Sequence, residues 1–300
     1  MPKHKDLFDF PWKIPPQRDV ILAPMTSLRI GGPAKILLHA SDQEELNWIL
    51  SYCKSSSVNW FIIGKGTNLL IQDGGYKGVV IKIDKGFNAI THQDSTIHVE
   101  AGISSLKLSR YAKQINLSGL EFLSTIPGTV GGAIYMNAGA YGYQIEDSIL
   151  SVTFMEGDGS ISTLNKKDLQ FSYRHSFFKT KQTIILSSKF RLTEEDPLKI
   201  EQKENEMLMH RKKTQPFNKK TCGSVFINPA NNSAGKLIEL CGLKGKGVGG
   251  AIISPLHANF IINENNATYN DLLETINLAQ TEVFKNFGIQ LKREVLILPE

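Results

Sequence analysis

Cysteine is scarce in this chain: three residues in 300, Cys53, Cys222 and Cys241, with no CxxC pair among them. That excludes a disulfide framework and a paired-cysteine metal site, and it points to a reducing compartment, the cytoplasm. Long apolar runs are missing as well. No stretch approaches the ~18 residues a membrane helix needs. Residues 1–16 mix charge, aromatics and proline with no apolar signal core, so neither export nor membrane insertion is expected. Neither sign of charge is in large excess, with 34 basic against 29 acidic residues and a net charge of +5. Such a balance suits an anionic small ligand without demanding a polyanion. Internal repeats and low-complexity tracts are absent too.

What remains is a chain with 41% hydrophobic and 21% charged residues, enough to bury a full core. At ~150 residues per domain the length predicts two domains. After a proline-rich lead-in, Thr26 to Ala34 reads as a turn-rich loop that flows into a β-like segment, 35–39. Ser41 is placed to cap a helix over 42–54, with Glu44 in the capping-box position and Leu46, Ile49 and Leu50 on one face. Short strands follow at 60–63, stopping at Gly64, and at 78–83. A second unit starts at Val99, with a helix over 104–114 and then the most glycine-rich part of the chain, 119–142.

Alternation predicts antiparallel strands at 149–155 and 184–192, with an Asp158-Gly159 hairpin signal after the first. A charged helix spans 196–213 and ends before Pro216. The domain boundary is set there, giving 1–200, with subdomains of about 20–84 and 85–200, and 201–300. The second part carries helices at 234–241 and 270–287 and strands at 257–263 and 291–298. Helices and strands share each region, which makes the fold class α+β.

Two strand-to-loop transitions present bare backbone: Gly64-Lys65-Gly66-Thr67-Asn68-Leu69, and Ser124 through Gly132 with Thr125, Pro127, Gly128 and Gly131. Glycine lets main-chain amides approach an anionic ligand closely, and it equally serves tight turns, so both readings stand at this level. Gly245-Lys246-Gly247-Val248-Gly249-Gly250 satisfies the G-x-G-x-x-G pattern. It follows a helix instead of a strand, however, and is read as a turn, so neither a Rossmann fold nor a P-loop is expected.

Several segments in order carry a resemblance: Arg29-Ile30-Gly31-Gly32-Pro33-Ala34, the Gly64 loop, Gly119 through Gly142, Tyr173-Arg174-His175-Ser176, Cys222-Gly223-Ser224-Val225-Phe226, His257-Ala258-Asn259-Phe260 and Arg293-Glu294-Val295. The chain resembles the UDP-N-acetylenolpyruvoylglucosamine reductase family from about Thr26 onward. The resemblance implies a two-subdomain FAD-binding domain of the vanillyl-alcohol-oxidase type followed by a smaller substrate domain, whose last strand carries Glu294 back to the flavin site. It implies non-covalent FAD held by Arg29, Gly31, Gly32, Gly64, Gly66, Thr67, Asn68, Leu69, Ser124, Thr125, Pro127, Gly128, Gly131 and Gly132, with Asn137 and Gly139 beside it. NADPH is the implied hydride donor, and a monomer acting on a UDP-sugar in cell-wall precursor synthesis is expected, with no metal, nucleic acid or membrane partner.

By the same resemblance the catalytic residues are Arg174, Ser224 and Glu294, and the substrate contacts are Tyr173, Lys213, Asn228, His257 and Asn259. Hydride addition to an enolpyruvyl double bond drives charge into its carboxylate, so a fixed cation and a proton-bearing partner are needed there. A permanently charged planar guanidinium meets a carboxylate in bidentate fashion. A carboxylic acid in an apolar strand favours its neutral, donating form. Ser224 is the implied proton donor, a role that geometry permits despite a high pKa. Read without the family, Arg174 is equally a surface arginine, Glu294 a partner of Arg293 or Lys292, and Ser224 a turn residue.

Cys222 is read as a buried structural cysteine. The basic stretch from His210 to Lys220 either lines a path for a diphosphate or forms a solvated face. Only 50 positions separate Arg174 from Ser224, too few for the tyrosine-bearing insertion of longer members, so the chain is assigned to the short form. Ile227 departs from the basic residue found before Asn228 in many relatives. Two rival readings differ in class: an oxidase of the same flavin fold, and a nucleic-acid-binding module built on the basic run.

Overall fold

The computed structural model describes residues 7–299. It resolves into two compact units. The first comprises residues 1–18, 36–64 and 78–209, and the second residues 19–35, 65–77 and 210–300. The units therefore do not follow the linear division at residue 200. Packing explains the difference: Leu28, Ile30 and Leu70 sit in the same buried core as Phe226, Leu237, Ile276 and Val295, and the strand Leu69–Ile71 pairs in parallel with the C-terminal strand Leu296–Leu298. Non-local pairing of this kind leaves no local composition signal.

The first unit is centred on a five-stranded antiparallel sheet, ordered Ile161–Asn165, Ile149–Met155, Ile184–Arg191, Thr96–Glu100, Ile90–Gln93. Alternation of β-branched and aromatic residues sends Val152, Phe154, Ile97, Val99 and Phe190 inward, each no more than 1% exposed. Gly159, at φ +88°, makes the expected hairpin turn between the first two strands named. The strand Ile90–Gln93 has only Ile90 even half-buried and carries no pattern a sequence reading would find.

A four-stranded sheet is ordered Gln17–Ile21, Pro33–His39, Tyr76–Lys82, Trp60–Ile62. The helix Gln43–Ser55 begins one residue later than expected from a Ser41 cap. Asp42 accepts the Glu45 amide at 2.9 Å. Glu45, buried, instead turns back to receive the Ser41 and Lys13 amides. The helix expected over 104–114 is Ser105–Gln114, capped by Ser104, whose hydroxyl accepts the Lys107 amide. A six-residue helix, Val130–Tyr135, lies inside the glycine-rich stretch that reads as loop.

In the second unit an antiparallel sheet is ordered Thr221–Ser224, Phe260–Asn263, Ala251–Ile253, Gly247–Val248. Gly249 and Gly250 form the loop of its last hairpin, with Gly249 at φ +53°, which accounts for the G-x-G-x-x-G pattern as a turn. The helix Tyr269–Phe287 opens with a Thr268–Asp271 capping box and stops at Gly288, φ +66°. Its face Leu272, Ile276, Ala279 and Val283 is fully buried. Burial of each large aliphatic residue contributes about 1.5–3 kcal/mol, and this face fixes the helix to the sheet. The expected strand over 291–298 is shorter, Leu296–Leu298, because Arg293 makes an isolated bridge to Phe226 instead. No helix among the described residues is long and apolar enough to cross a membrane, and no group of three or more His, Cys, Asp and Glu among them could hold a metal ion.

Candidate functional site

Ser224 ends the strand Thr221–Ser224, which pairs Thr221 with Ile262 and Ser224 with Phe260 across a register shift. Gly223, at φ +82°, supplies the conformation of that bulge. A Cβ there would meet nothing within 4 Å, so the glycine serves backbone geometry, not space. A bulge bends its strand and re-aims the next side chain. Ser224 is left half-buried while Val225 and Phe226 enter the core.

Glu294 is brought to the same place by its backbone. Its N–H donates to the Val225 carbonyl at 2.8 Å, and its own carbonyl accepts from the Asn68 side chain at 3.1 Å. The second unit thus joins Ser224 and Glu294. Cys222 lies beside them, 3% exposed. Burial pushes its thiol up to about 12, and Glu294, whenever it is ionised, adds to the rise. A thiolate nucleophile is thereby disfavoured, in agreement with a structural role.

Arg174 lies in the first unit, on a turn closed by reciprocal backbone bonds between Ser172 and His175 at 3.0 and 3.2 Å. Its φ of +57° is left-handed. The guanidinium donates to the Gly139 carbonyl at 2.9 Å and sits 4.9 Å from the ring centre of Tyr173. Asn137, fully buried, donates to the Ser172 carbonyl at 3.0 Å and accepts the Glu146 amide at 3.0 Å. Ser176 donates to the Tyr135 carbonyl at 2.8 Å. These bonds lock the arginine turn to residues 135–139, so the Asn137 side chain acts on Arg174, and the Gly139 carbonyl orients it.

The glycine-rich segments divide into those that need close packing and those that leave room for a ligand. A Cβ on Gly64 would lie 2.6 Å from Thr129 Oγ1, and one on Gly131 would lie 3.0 Å from the Ala101 Cβ. Thr129 is a residue the sequence reading passed over, although its T-x-x-G spacing matches a cap: its hydroxyl accepts the Gly132 amide at 3.2 Å. The Val130 and Gly131 amides donate to Ile103 and Ala101 carbonyls at 2.8 and 3.0 Å. These three amides are therefore engaged inside the protein. Thr125 likewise donates to Phe122 at 2.7 Å. The Ser124 hydroxyl differs, being buried without a hydrogen-bond partner among the described residues. That orphaned hydroxyl, beside Pro127 and the left-handed Gly128 (φ +151°), fits a polar ligand that brings its own partner atoms.

In the second unit the Arg29 side chain donates to the Pro24 carbonyl. Gly31 (φ +144°) and Gly66 (φ +60°) hold left-handed turns, and a side chain on Gly32 would overlap the Asp73 carbonyl. Leu69 is buried and paired with Leu296, and Thr67 and Asn68 lead into that strand. Gly31, Gly32 and Gly66 are buried, and a Cβ on Gly66 would overlap the Met25 carbonyl, so these glycines serve close packing of one loop on another.

The candidate substrate contacts separate in the same way. Tyr173 and Lys213 are exposed. Asn228 accepts the Ala234 amide at 3.0 Å. Asn259 uses both side-chain polar atoms on Phe226. His257 Nδ1 accepts the Asn259 amide at 3.2 Å, and burial, with Lys244 nearby, lowers its pKa, so it sits neutral.

Comparison with known proteins bears on what this arrangement does. Residues 34–165 match the FAD binding domain family, and residues 215–298 match the UDP-N-acetylenolpyruvoylglucosamine reductase C-terminal domain family. The chain is 40% identical over 280 residues to the UDP-N-acetylenolpyruvoylglucosamine reductase of Bacillus pumilus, covering 93% of this chain and 92% of that one. It is 37% identical over 300 residues to that of Syntrophomonas wolfei, covering 99% of each. The crystal structure of UDP-N-acetylenolpyruvylglucosamine reductase from Thermus caldophilus superposes with a TM-score of 0.82 at 33% identity, covering 94% of this chain and 98% of that one. Near-complete coverage by relatives of one kind, a matching fold and a flavin-binding domain lead to one conclusion: the chain belongs to the UDP-N-acetylenolpyruvoylglucosamine reductase family and is an FAD-dependent oxidoreductase.

Proposed function

We propose that this chain reduces UDP-N-acetylglucosamine enolpyruvate to UDP-N-acetylmuramate, with NADPH as reductant, as a cytoplasmic monomer in peptidoglycan precursor synthesis. The observation that carries the reading is the bulge at Gly223, which aims Ser224 from the strand end. Next to it, the Val225 carbonyl holds the Glu294 backbone at 2.8 Å.

When bound, FAD supplies the two-electron chemistry between nicotinamide and the enolpyruvyl double bond. Ser124, Gly128 and the tightly packed loops at Gly64 and Gly66 are the residues we assign to its binding. Arg174 binds the substrate carboxylate, which gains charge as the double bond is reduced, and its fixed guanidinium offsets that charge. Glu294, in its protonated form, donates a hydrogen bond to the same carboxylate. Ser224 Oγ gives its proton to the carbon next to the carboxylate. Tyr173 stacks under the Arg174 guanidinium and limits its rotation.

Purified protein is expected to be yellow. Anaerobic NADPH should bleach the flavin band, and the enolpyruvyl nucleotide sugar should restore it with one product molecule per flavin. A colourless protein that takes up no FAD would overturn the proposal. So would a reduced enzyme that oxygen reoxidises and the enolpyruvyl substrate does not.

A further inference from the structure

Past the bulge at Gly223 the strand Thr221–Ser224 gives up its regular ladder, and the next two residues bond elsewhere. The Val225 N–H donates to the Asn259 carbonyl at 2.8 Å. The Phe226 N–H donates to Asn259 Oδ1 at 3.0 Å, and Asn259 Nδ2 donates to the Phe226 carbonyl at 2.8 Å. Asn259 is only 4% exposed. From the other side, the Val225 carbonyl accepts the Glu294 amide at 2.8 Å, and the Ile227 amide donates to the Lys292 carbonyl at 2.9 Å. Residues 225–227 are thus gripped between residue 259 and residues 292–294.

A carboxamide presents an N–H donor beside a carbonyl acceptor, as a peptide unit does, so the Asn259 side chain stands in for a sheet neighbour of Phe226 on that side. Both of its polar atoms are bonded to Phe226 and the residue is only 4% exposed, so its side chain is committed to the protein backbone. We propose that Asn259 is a positioning residue for the reduction, fixing the Ser224-to-Glu294 spacing through the Val225-Phe226 backbone without touching substrate. The inference rests on the roles proposed for Ser224 and Glu294.

Asn259→Asp makes it testable. An ionised carboxylate keeps the acceptor for the Phe226 amide but turns a second acceptor toward the Phe226 carbonyl, leaving two oxygens opposed. A protonated carboxyl restores the donor and is nearly isosteric with the amide. The grip should therefore fail at high pH and recover at low pH. The titratable or charged groups on the packed segments are His257, Cys222, Glu294, Lys292 and Arg293. All are kept in the variant, so the wild-type profile is the control for them.

The experiment compares wild-type, N259D, N259A and S224A holoenzymes by rapid mixing, with NADPH for flavin reduction and UDP-N-acetylglucosamine enolpyruvate for reoxidation. Hydrogen exchange at the Phe226 and Glu294 amides is measured alongside. For N259D at pH 8, reoxidation should slow by about 10- to 100-fold. Flavin reduction and substrate Kd from the flavin difference spectrum should change less than about twofold. Both amides should exchange faster, and the rate and protection should recover toward pH 6. N259A should show the same losses with no recovery.

A raised Kd with an unchanged rate constant would overturn the proposal in favour of direct substrate contact, and so would wild-type reoxidation by N259D at pH 8. Full reoxidation by S224A would instead sink the role of Ser224. In that case, faster amide exchange in N259D would still confirm the grip itself while removing its link to catalysis.

Discussion

The backbone amide of Glu294 donates to the carbonyl of Val225 at 2.8 Å, one residue beyond Ser224. Because this bond belongs to the main chain, substitutions of the Glu294 side chain leave it intact, and their effects report on the carboxyl alone. Glu294→Ala removes a donor from the developing charge and should slow substrate-driven flavin reoxidation by about 10²–10³-fold. Glu294→Gln retains a neutral donor of similar reach and should lose about tenfold. Equal losses in the two variants, measured by anaerobic rapid mixing, would show that Glu294 acts as a charge and not as a hydrogen-bond donor.

Gly223→Ala separates conformation from space. No atom lies within 4 Å of the added Cβ, so the whole effect comes from forcing an L-residue to φ +82°. Left-handed backbone costs an alanine about 1–2 kcal/mol. Thermal or denaturant unfolding should register that loss, and reoxidation should slow while NADPH-driven reduction does not, because Ser224 is re-aimed. Unchanged reoxidation would mean that the bulge is not what orients the serine.

Elements built on local signals were legible before the structure. Alternation marked Ile149–Met155 and Ile184–Arg191, and the helices Ser105–Gln114 and Tyr269–Phe287 lie within a residue of the expected 104–114 and 270–287. Non-local features were not. The helix Val130–Tyr135 carries two glycines that local propensity counts against it, and it forms because Gly131 lets it pack on Ala101. Asp42 wins the cap from Ser41 because the partner expected to complete Ser41's capping box is replaced by Glu45, which is drawn inward by Lys13 from 32 residues away. In the candidate site, the sequence motifs named residues, whereas the hydrogen-bond partners of those residues lie far apart in the chain and carry no local signal. Asn137, Asn228 and Asn259 are polar residues in turn-rich segments, and each bonds backbone of this protein through at least one side-chain atom. Only a partner list tells a ligand contact from a clamp.

Gly64→Ala should act on FAD retention. Its Cβ would sit 2.6 Å from Thr129 Oγ1, so either the strand end or the Thr129 cap on Gly132 must shift. Losing such a cap costs about 1 kcal/mol. The visible-to-280-nm absorbance ratio of the purified variant should fall, and added FAD should restore it only at raised concentration. Shortening the obstacle in Gly64→Ala/Thr129→Ala should recover part of the FAD affinity, because the two positions are in contact and their effects are not additive. Full occupancy in the single variant would contradict the assignment of this loop to the cofactor.

Cys222 makes a prediction in alkali. Burial raises its thiol from the ordinary 9.0 to about 12, and Cys53 is raised to about 12 in the same way. A raised folded-state pKa means that the unfolded chain releases the proton first. The stabilising contribution is therefore whole below pH 9 and is lost as pH climbs from 9 to 12. Denaturant midpoints should fall over that window, less steeply in Cys222→Ala. The native thiol should resist alkylation at pH 8, and the alanine variant should keep its turnover. Rapid labelling of Cys222 in folded enzyme would refute the buried, protonated state.

Arg174→Lys tests the fork. The arginine spends one amino group on the Gly139 carbonyl at 2.9 Å and lies against Tyr173, so its plane is set before substrate arrives. Lysine keeps the charge but not the planar pair of donors or the stacking surface. Its effect should fall on the step in which the carboxylate gains charge. Reoxidation should slow by about 10²-fold, with NADPH-driven reduction and FAD content unchanged. Asn137→Ala, which frees the Ser172 carbonyl and unlocks the turn, should reproduce part of that loss while leaving the guanidinium in place. If R174K loses substrate affinity with an unaltered limiting rate, Arg174 binds the ground state and the charge stabilisation assigned to it belongs to another group.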